Sequence, residues 1–240
     1  MVALSIVVPV MNEAENVTPL AREIAAAAKN EDAEIIFVDD GSTDGTAQIL
    51  KGLKADIPQM RVLQHARNSG QSRGVRTGVL AARGDIVATL DGDGQNDPAD
   101  LPKLLAVLRS APAAERVGMV AGVRAQRNDA SSRRLASSFA NGLRRRMLND
   151  RATDSGSGIK AFRRDVFLAL PYFDHMHRFM AALVLREGYD VRFVEVNHRP
   201  RTAGKSKYTN LHRALVGISD MFGVRWLQKR FGGWVESREI

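Results

Sequence analysis

Asp91, Asp93 and Asp97 follow the apolar run "DIVATL" within the stretch "TLDGDGQND" at residues 89–97. Acids this close repel one another, which is unfavourable unless a cation is to bind. Side chains of an extended chain repeat every two residues, so Asp91 and Asp93 point the same way if the strand continues. Two carboxylates on one side, among glycines that let a ligand approach, suit Mg2+ or Mn2+ holding a diphosphate. The competing reading is a solvated turn before a helix capped by Asp97.

The elements that must position this pair alternate between strand and helix. Strands are expected at 4–10, 33–40, 61–66, 85–91 and 117–123. Helices are expected at 16–29, with Asn16 as N-cap, and at 43–54, 71–83 and 97–109, the last opening on Asp97 and Pro98. This βαβ rhythm, with strands that are continuously apolar, implies an α/β fold: a mostly parallel sheet flanked by helices. The second half is less regular. Residues 131–148 read as a basic helix, "GIKAFRRDVF" holds a short strand, and "DVRFVEVNHRP" (190–200) holds a clearer one. An amphipathic helix closes the chain at 209–231, so the expected organisation is one domain over 1–208 and a helical extension over 209–240. Its Leu211, Leu215, Ile218, Phe222 and Trp226 recur at three- and four-residue steps. That stripe suits core, oligomer or membrane-surface contact.

Ligands of open α/β sheets bind beyond the carboxyl ends of the strands. Four polar stretches fall there: "PVMNEAE" after the first strand, "VDDGSTDGT" after the second, "RNSGQSRG" after the third and "LDGDGQND" after the fourth. Singly each is ordinary turn chemistry. Four at one sheet edge make a site.

The 240 residues, 44% of them hydrophobic, suffice for one large α/β domain. Without cysteine there is neither a disulfide framework nor a thiolate metal site. No run of 18 apolar residues occurs and no basic segment precedes the first apolar run, so neither a membrane span nor a signal peptide is expected. The net charge is +8, and two segments carry it. Residues 124–151 hold eight arginines against two aspartates, and residues 199–213 hold five basic residues and no acid. Such local basic surfaces suit phosphates. Nucleic acid is a poor fit, because Phe139 is the sole aromatic among the 124–151 cations and stacking needs more.

The stretches "SIVVPVMNEAENV", "IIFVDDGSTDGT", "LDGDGQNDP", "DSGSGIKAFRR" and "RPRTAGKSKY" together span most of the chain. In them the chain resembles the family 2 inverting glycosyltransferases, in their dolichol-phosphate mannosyltransferase-like, polyprenyl-phosphate glycosyltransferase branch. The resemblance implies a GT-A fold, a nucleotide-sugar donor, Mg2+ or Mn2+, and a polyprenyl phosphate acceptor. By position, Pro9, Asn12, Glu13 and Asp40 would line the nucleoside pocket. Asp91, Asp93 and Gln95 would hold metal and diphosphate, and Arg124 would contact phosphate. Arg133 and Ser137 would hold the acceptor phosphate. Arg201, Ser206 and Lys207 would belong to a loop closing over the donor, and Asp154 falls where a base is suspected in relatives. The chain departs from the pattern at Gly94, where many relatives carry an apolar residue.

The residues support this independently. Arg133, Ser137 and Asn141 are spaced by four and stack on one helical face, beside the apolar row Leu135, Phe139, Leu143 and Met147. A helix with a phosphate-binding line and an apolar face suits a prenyl phosphate at a bilayer surface, and Arg144, Arg145 and Arg146 suit lipid-surface charges. An amphipathic helix lying on the core is the alternative.

The expected reaction transfers a sugar, by default mannose from GDP-mannose, to polyprenyl or dolichyl phosphate. Arg201 and Lys207 would steady the leaving diphosphate. A phosphate monoester has a second pKa of about 6, so the acceptor is already nucleophilic at neutral pH and Asp154 has only to orient it or Arg133. Direct displacement inverts the anomeric centre. The expected placement is cytoplasmic and peripheral, on the inner face of an anionic membrane, with a homo-oligomer open. The rival readings are a soluble family 2 enzyme taking a UDP-sugar and a non-lipid acceptor, and a non-catalytic protein that binds anionic membrane.

Overall fold

Seven apolar runs pair into one sheet in the computed structural model, which describes residues 2–124, 142, 144–150, 157–200, 210–233 and 235. The strands are β1 (Leu4–Val10), β2 (Ala33–Asp39), β3 (Met60–Gln64), β4 (Ile86–Thr89), β5 (Val117–Arg124), β6 (Lys160–Arg163) and β7 (Asp190–Val196). Their order across the sheet is β3-β2-β1-β4-β6-β5-β7. β1 runs parallel to β2 and β4, β2 to β3, and β5 to β7, whereas β6 is antiparallel to both neighbours. The mostly parallel sheet is therefore present, with one reversed strand between β4 and β5. All seven residues of β1 are buried, as a central strand covered on both faces requires.

The helices are α1 (Val17–Ala27), α2 (Thr46–Leu53), α3 (Gln71–Ala81), α4 (Leu101–Ser110), α5 (144–148), α6 (Arg164–Ala169), α7 (Met180–Arg186) and α8 (Asn210–Arg230). One face of the sheet is covered by α1, α2 and α4 through residues such as Ile24, Leu50 and Leu104. The other is covered by α3, α6, α7 and α8 through Val79, Phe167, Leu183 and Val224.

Three local expectations change. Asn16 stands at the N-cap of α1, but its amide donates to Glu13 Oε2 at 2.7 Å instead of capping the helix. Asp97 does cap, accepting from the Ala99 N–H at 3.0 Å, and the first turn (98–100) is a 3-10 turn before α4 begins. Arg144 is buried against the fully buried Asp150 at 2.6 Å, so it is an internal ion pair and not a lipid-surface charge, while Arg145 and Arg146 are exposed.

α3 meets β1 with glycines, whose missing side chains leave room for the strand's own. A Cβ on Gly78 would stand 2.3 Å from Val7 Cγ1, and one on Gly74 would stand 2.9 Å from Pro9 Cβ. Gly52, exposed on α2, has nothing within 4 Å of that position. Helical glycine costs roughly 0.5–1 kcal/mol relative to alanine, so Gly52→Ala should raise stability by about that amount. Gly78→Ala should lower it, since overpacking costs about 1–3 kcal/mol. Urea-unfolding midpoints of the two variants should move in opposite directions.

Candidate functional site

The parallel strands β1, β2 and β4 deliver their following loops to one edge, and hydrogen bonds tie these loops together. Beyond β1, Asn12 takes a positive φ of 50°. Its N–H donates to Ser42 Oγ at 2.8 Å, and its Oδ1 accepts from the Thr43 N–H at 2.7 Å. The Glu13 N–H donates to Thr46 Oγ1 at 2.9 Å, and the Glu13 carboxylate is buried against Asn16. Pro9 is buried in β1 between Gly74 of α3 and Gly92.

Asp40 braces the third loop. Its two oxygens accept from the Ser69 N–H at 2.9 Å and the Gly70 N–H at 2.8 Å, and Oδ1 also lies 2.7 Å from His65 Nδ1. At 4% exposure, Asp40 shapes this corner from behind it. Gly41 lets the two loops touch: a Cβ there would come within 2.7 Å of the Arg67 carbonyl carbon, at a φ of +72°.

α3 starts at Gln71, immediately after the braced Gly70. The Gln71 amide donates to Asp91 Oδ1 at 2.6 Å. β4 ends at Thr89, so Asp91 and Asp93 lie in the turn beyond the strand and not on its continuation. The Asp91 N–H donates to Asn96 Oδ1 at 2.9 Å, and the Gln95 N–H donates to Asp93 Oδ1 at 3.1 Å. Gly94 sits at a φ of +73°, a left-handed conformation that glycine adopts without strain and a bulky apolar residue does not. The loop is latched to the segment after β7: Arg199 N–H donates to the Gln95 carbonyl at 3.0 Å, and Asn96 bridges His198.

Three residues that sequence reasoning did not single out surround Asp91. Gln71 is one. Gly158 is the second, since a Cβ there would stand 2.1 Å from Asp91 Oδ2. Lys160 is the third: it begins β6 opposite Thr89 and donates to the Ser157 carbonyl. Burial, then the negative charge of Asp93, push the Asp91 carboxyl up to about 6, while Lys160, the Gln71 amide and Arg124 at the end of β5 pull it back. The only available signal for Lys160 was its motif, "GIKAFRR", and the antiparallel pairing that aims β6 at β4 is not a local pattern.

The structure thus brings Asp91, Asp93, Gln95 and Arg124 to one edge, with Asn12, Glu13 and Asp40 on its β1–β2 side. Arg133, Ser137, Asp154, Arg201, Ser206 and Lys207 lie outside the described residues. A groove of about 530 Å³, lined by Asp85, Pro112, Arg116 and Arg164 among others, opens at the amino ends of β4 and β5, away from the carboxylates. Two adjacent carboxylates, one of them with its pKa pushed upward by burial and by the other's charge, form a donor set that fits a divalent cation. No three His, Cys, Asp or Glu side chains cluster among the described residues. Two carboxylates and an amide leave coordination positions for phosphate oxygens and water, as Mg2+ usually requires.

Residues 5–170 match the family model described as Glycosyl transferase family 2. Dodecaprenyl-phosphate galacturonate synthase of Rhizobium johnstonii is 34% identical over 232 residues, covering 94% of this chain and 67% of that protein. Undecaprenyl-phosphate 4-deoxy-4-formamido-L-arabinose transferase of Pectobacterium carotovorum is 34% identical over 212 residues, covering 87% and 63%. The chain therefore spans about two thirds of the length of these relatives. Among solved structures, mannosyl-3-phosphoglycerate synthase of Rubrobacter xylanophilus superposes with a TM-score of 0.71 at 19% identity, covering 98% of this chain and 77% of that one. Glucosyl-3-phosphoglycerate synthase of Mycobacterium tuberculosis, in complex with Mn2+, UDP and phosphoglyceric acid, gives 0.69 at 18% identity, with 96% and 80% coverage. Likeness at that identity establishes the fold, which is of the GT-A type. With the family model covering β1 through α6 and the carboxylate turn between them, the chain belongs to glycosyl transferase family 2.

Proposed function

We propose that this chain transfers a sugar from a nucleotide-sugar to a polyprenyl phosphate, with inversion at the anomeric carbon. The observation that carries the proposal is the Asp91–Asp93 pair, set between the amide of Gln71 and the cations Arg124 and Lys160 at the ligand-binding edge of the sheet. A diphosphate leaving group and a divalent cation satisfy both signs of charge at once. Asp91, Asp93 and Gln95 would hold Mg2+ or Mn2+. When bound, that ion neutralises charge developing on the departing diphosphate.

This chain's own residues do the rest. Asn12 and Glu13, fixed by Ser42, Thr43 and Thr46, floor the nucleoside side, with Asp40 holding the 69–70 corner and Pro9 closing the wall. Arg124 and Lys160 offer positive charge to the diphosphate, joined by Arg201 and Lys207 and by the hydroxyl of Ser206 as a hydrogen-bond donor. Arg133 and Ser137 hold the acceptor phosphate, and Asp154 orients it. That phosphate is nucleophilic as a dianion, so no strong base is needed. Membrane-bound acceptor implies work at a bilayer surface, on the cytoplasmic side where nucleotide-sugars are made. No described helix is long and apolar enough to cross a membrane.

The names of the relatives specify galacturonate and 4-deoxy-4-formamido-L-arabinose. GDP-mannose accordingly goes forward as one member of a donor panel and not as its default. The deciding experiment incubates that panel with polyprenyl phosphate and Mg2+ and analyses the extracted lipid. A glycosyl-phosphate lipid formed from one donor supports the reading. Transfer only to a water-soluble sugar acceptor overturns it.

Two outcomes follow from the site. At about ten times its Kd, a bound cation stabilises the folded state by about 1.4 kcal/mol. For a chain of this size that corresponds to about 3–6 °C in Tm. Mg2+ or Mn2+ added with nucleoside diphosphate should therefore raise the wild-type Tm, and Asp93→Asn should lose that shift and abolish transfer while its ligand-free Tm stays near wild type. Undiminished transfer in EDTA rules out the metal role.

Arg133→Ala should affect the acceptor alone. A charge-assisted hydrogen bond contributes about 1.5–3 kcal/mol. Each 1.4 kcal/mol is about tenfold, so the half-saturating acceptor concentration should rise by one to two orders of magnitude. Nucleotide affinity by titration calorimetry should stay unchanged. The reverse pattern would place Arg133 on the donor.

A further inference from the structure

α8 carries two apolar rows, and the protein covers one of them. Met221 and Val224 are buried in the core shared with α7. The Leu227 carbonyl accepts from Arg186 Nε at 3.2 Å, Gln228 donates to the Leu148 carbonyl of α5 at 2.8 Å, and Asp220 lies 3.3 Å from His175 Nδ1. These contacts fix which way the helix faces. The row left outside is Ile218, Phe222 and Trp226, at 47%, 61% and 58% exposure.

The same side carries cations. At 3.6 residues per turn, Ile218, Phe222, Arg225, Trp226 and Lys229 fall within an arc of about 100°. Arg225 and Lys229 are both exposed, and Arg230 lies over the Trp226 ring at 5.8 Å. The one acid in the described part of α8, Asp220, points the other way, toward His175. The exposed Arg145 and Arg146 stand on α5, which Gln228 joins to α8.

We infer that this face of α8 docks on an anionic lipid bilayer. Large aromatics interleaved with Arg and Lys are what a helix lying in the headgroup region presents: the rings enter the acyl boundary and the cations reach back to anionic headgroups. A protein partner fits less well. In a two-fold contact between copies, Arg225 and Lys229 would meet like charges, and burial in an apolar interface would leave them unpaired. The inference deepens the proposed function, which puts the acceptor phosphate at such a surface, but α8's own contacts and charges are its grounds.

The test is vesicle flotation of the whole chain at physiological ionic strength, with phosphatidylcholine alone or with phosphatidylglycerol added. The wild type should float with the anionic vesicles and bind neutral ones at least tenfold more weakly. Phe222→Ser with Trp226→Ser should weaken anionic binding at least tenfold. Arg225→Gln with Lys229→Gln should erase most of the preference for anionic lipid, because each basic residue near such a surface is worth about fivefold. Both double variants should keep the wild-type Tm and the wild-type rate toward a short, water-soluble prenyl phosphate. Unchanged flotation of the Phe222/Trp226 variant overturns the inference. So does a wild-type dimer in sedimentation equilibrium that this variant dissolves, since a second copy would then cover the face. If the wild type floats as expected yet transfers nothing to prenyl phosphate, the proposed function fails and the docking face stands.

Discussion

The carboxylate of Asp91 sits beside that of Asp93 in surroundings that favour neither charge, and much of the nearby architecture serves to hold it there. Burial and the neighbouring charge push its carboxyl up to about 6. Ionised, it must be hydrogen-bonded and offset by positive charge. The partners of its carboxylate come from remote parts of the chain, Gln71 from α3, Lys160 from β6 and Arg124 from β5, while Asn96 of its own loop accepts from its backbone N–H. Gly158 gives it room, because any side chain there would overlap its oxygens. α3 can deliver Gln71 because Gly74 and Gly78 bring the helix down onto β1. Close helix packing on one strand and charge compensation two strands away are thus conditions on the same side chain.

The reversed strand divides the sheet into two halves. β1, β2 and β3 are parallel and send successive loops to one corner, where Asn12, Asp40 and Gly41 bind those loops to each other. β6 enters between β4 and β5 in the opposite direction, so the 157–160 segment arrives at the carboxylate turn as the strand begins. A parallel strand there would have placed its carboxyl end at that edge and Lys160 at the far one. In the proposed function the donor lies on the parallel side, with its diphosphate against the carboxylate pair.

The aromatic face of α8 lies on the second core's side of the sheet, the side that also holds α5 and its exposed arginines. A sugar transferase acting on a prenyl chain must approach lipid without surrendering a water-filled donor site. With the lipid contact inferred for α8 on a peripheral helix and the proposed charge chemistry at the strand ends, the two solvents would stay apart.

The strands, the Asp97–Pro98 helix start and the gathering of four polar stretches at one edge were legible in the sequence. They depend on local propensity and on the rule that parallel strands share a carboxyl edge. The direction of β6 was not legible, nor was Lys160's approach to Asp91, because antiparallel pairing with β4 joins residues about 70 positions apart and leaves no short-range periodicity. The run Arg144, Arg145, Arg146 looked uniform; only packing separates the buried partner of Asp150 from its two exposed neighbours. In α8 the sequence showed an apolar stripe through Ile218, Phe222 and Trp226 but could not say which row the protein covers. Hydrophobic spacing records that a helix has apolar faces, and the position of its neighbours, here α7 and α5, decides which face meets the core and which is left to another solvent.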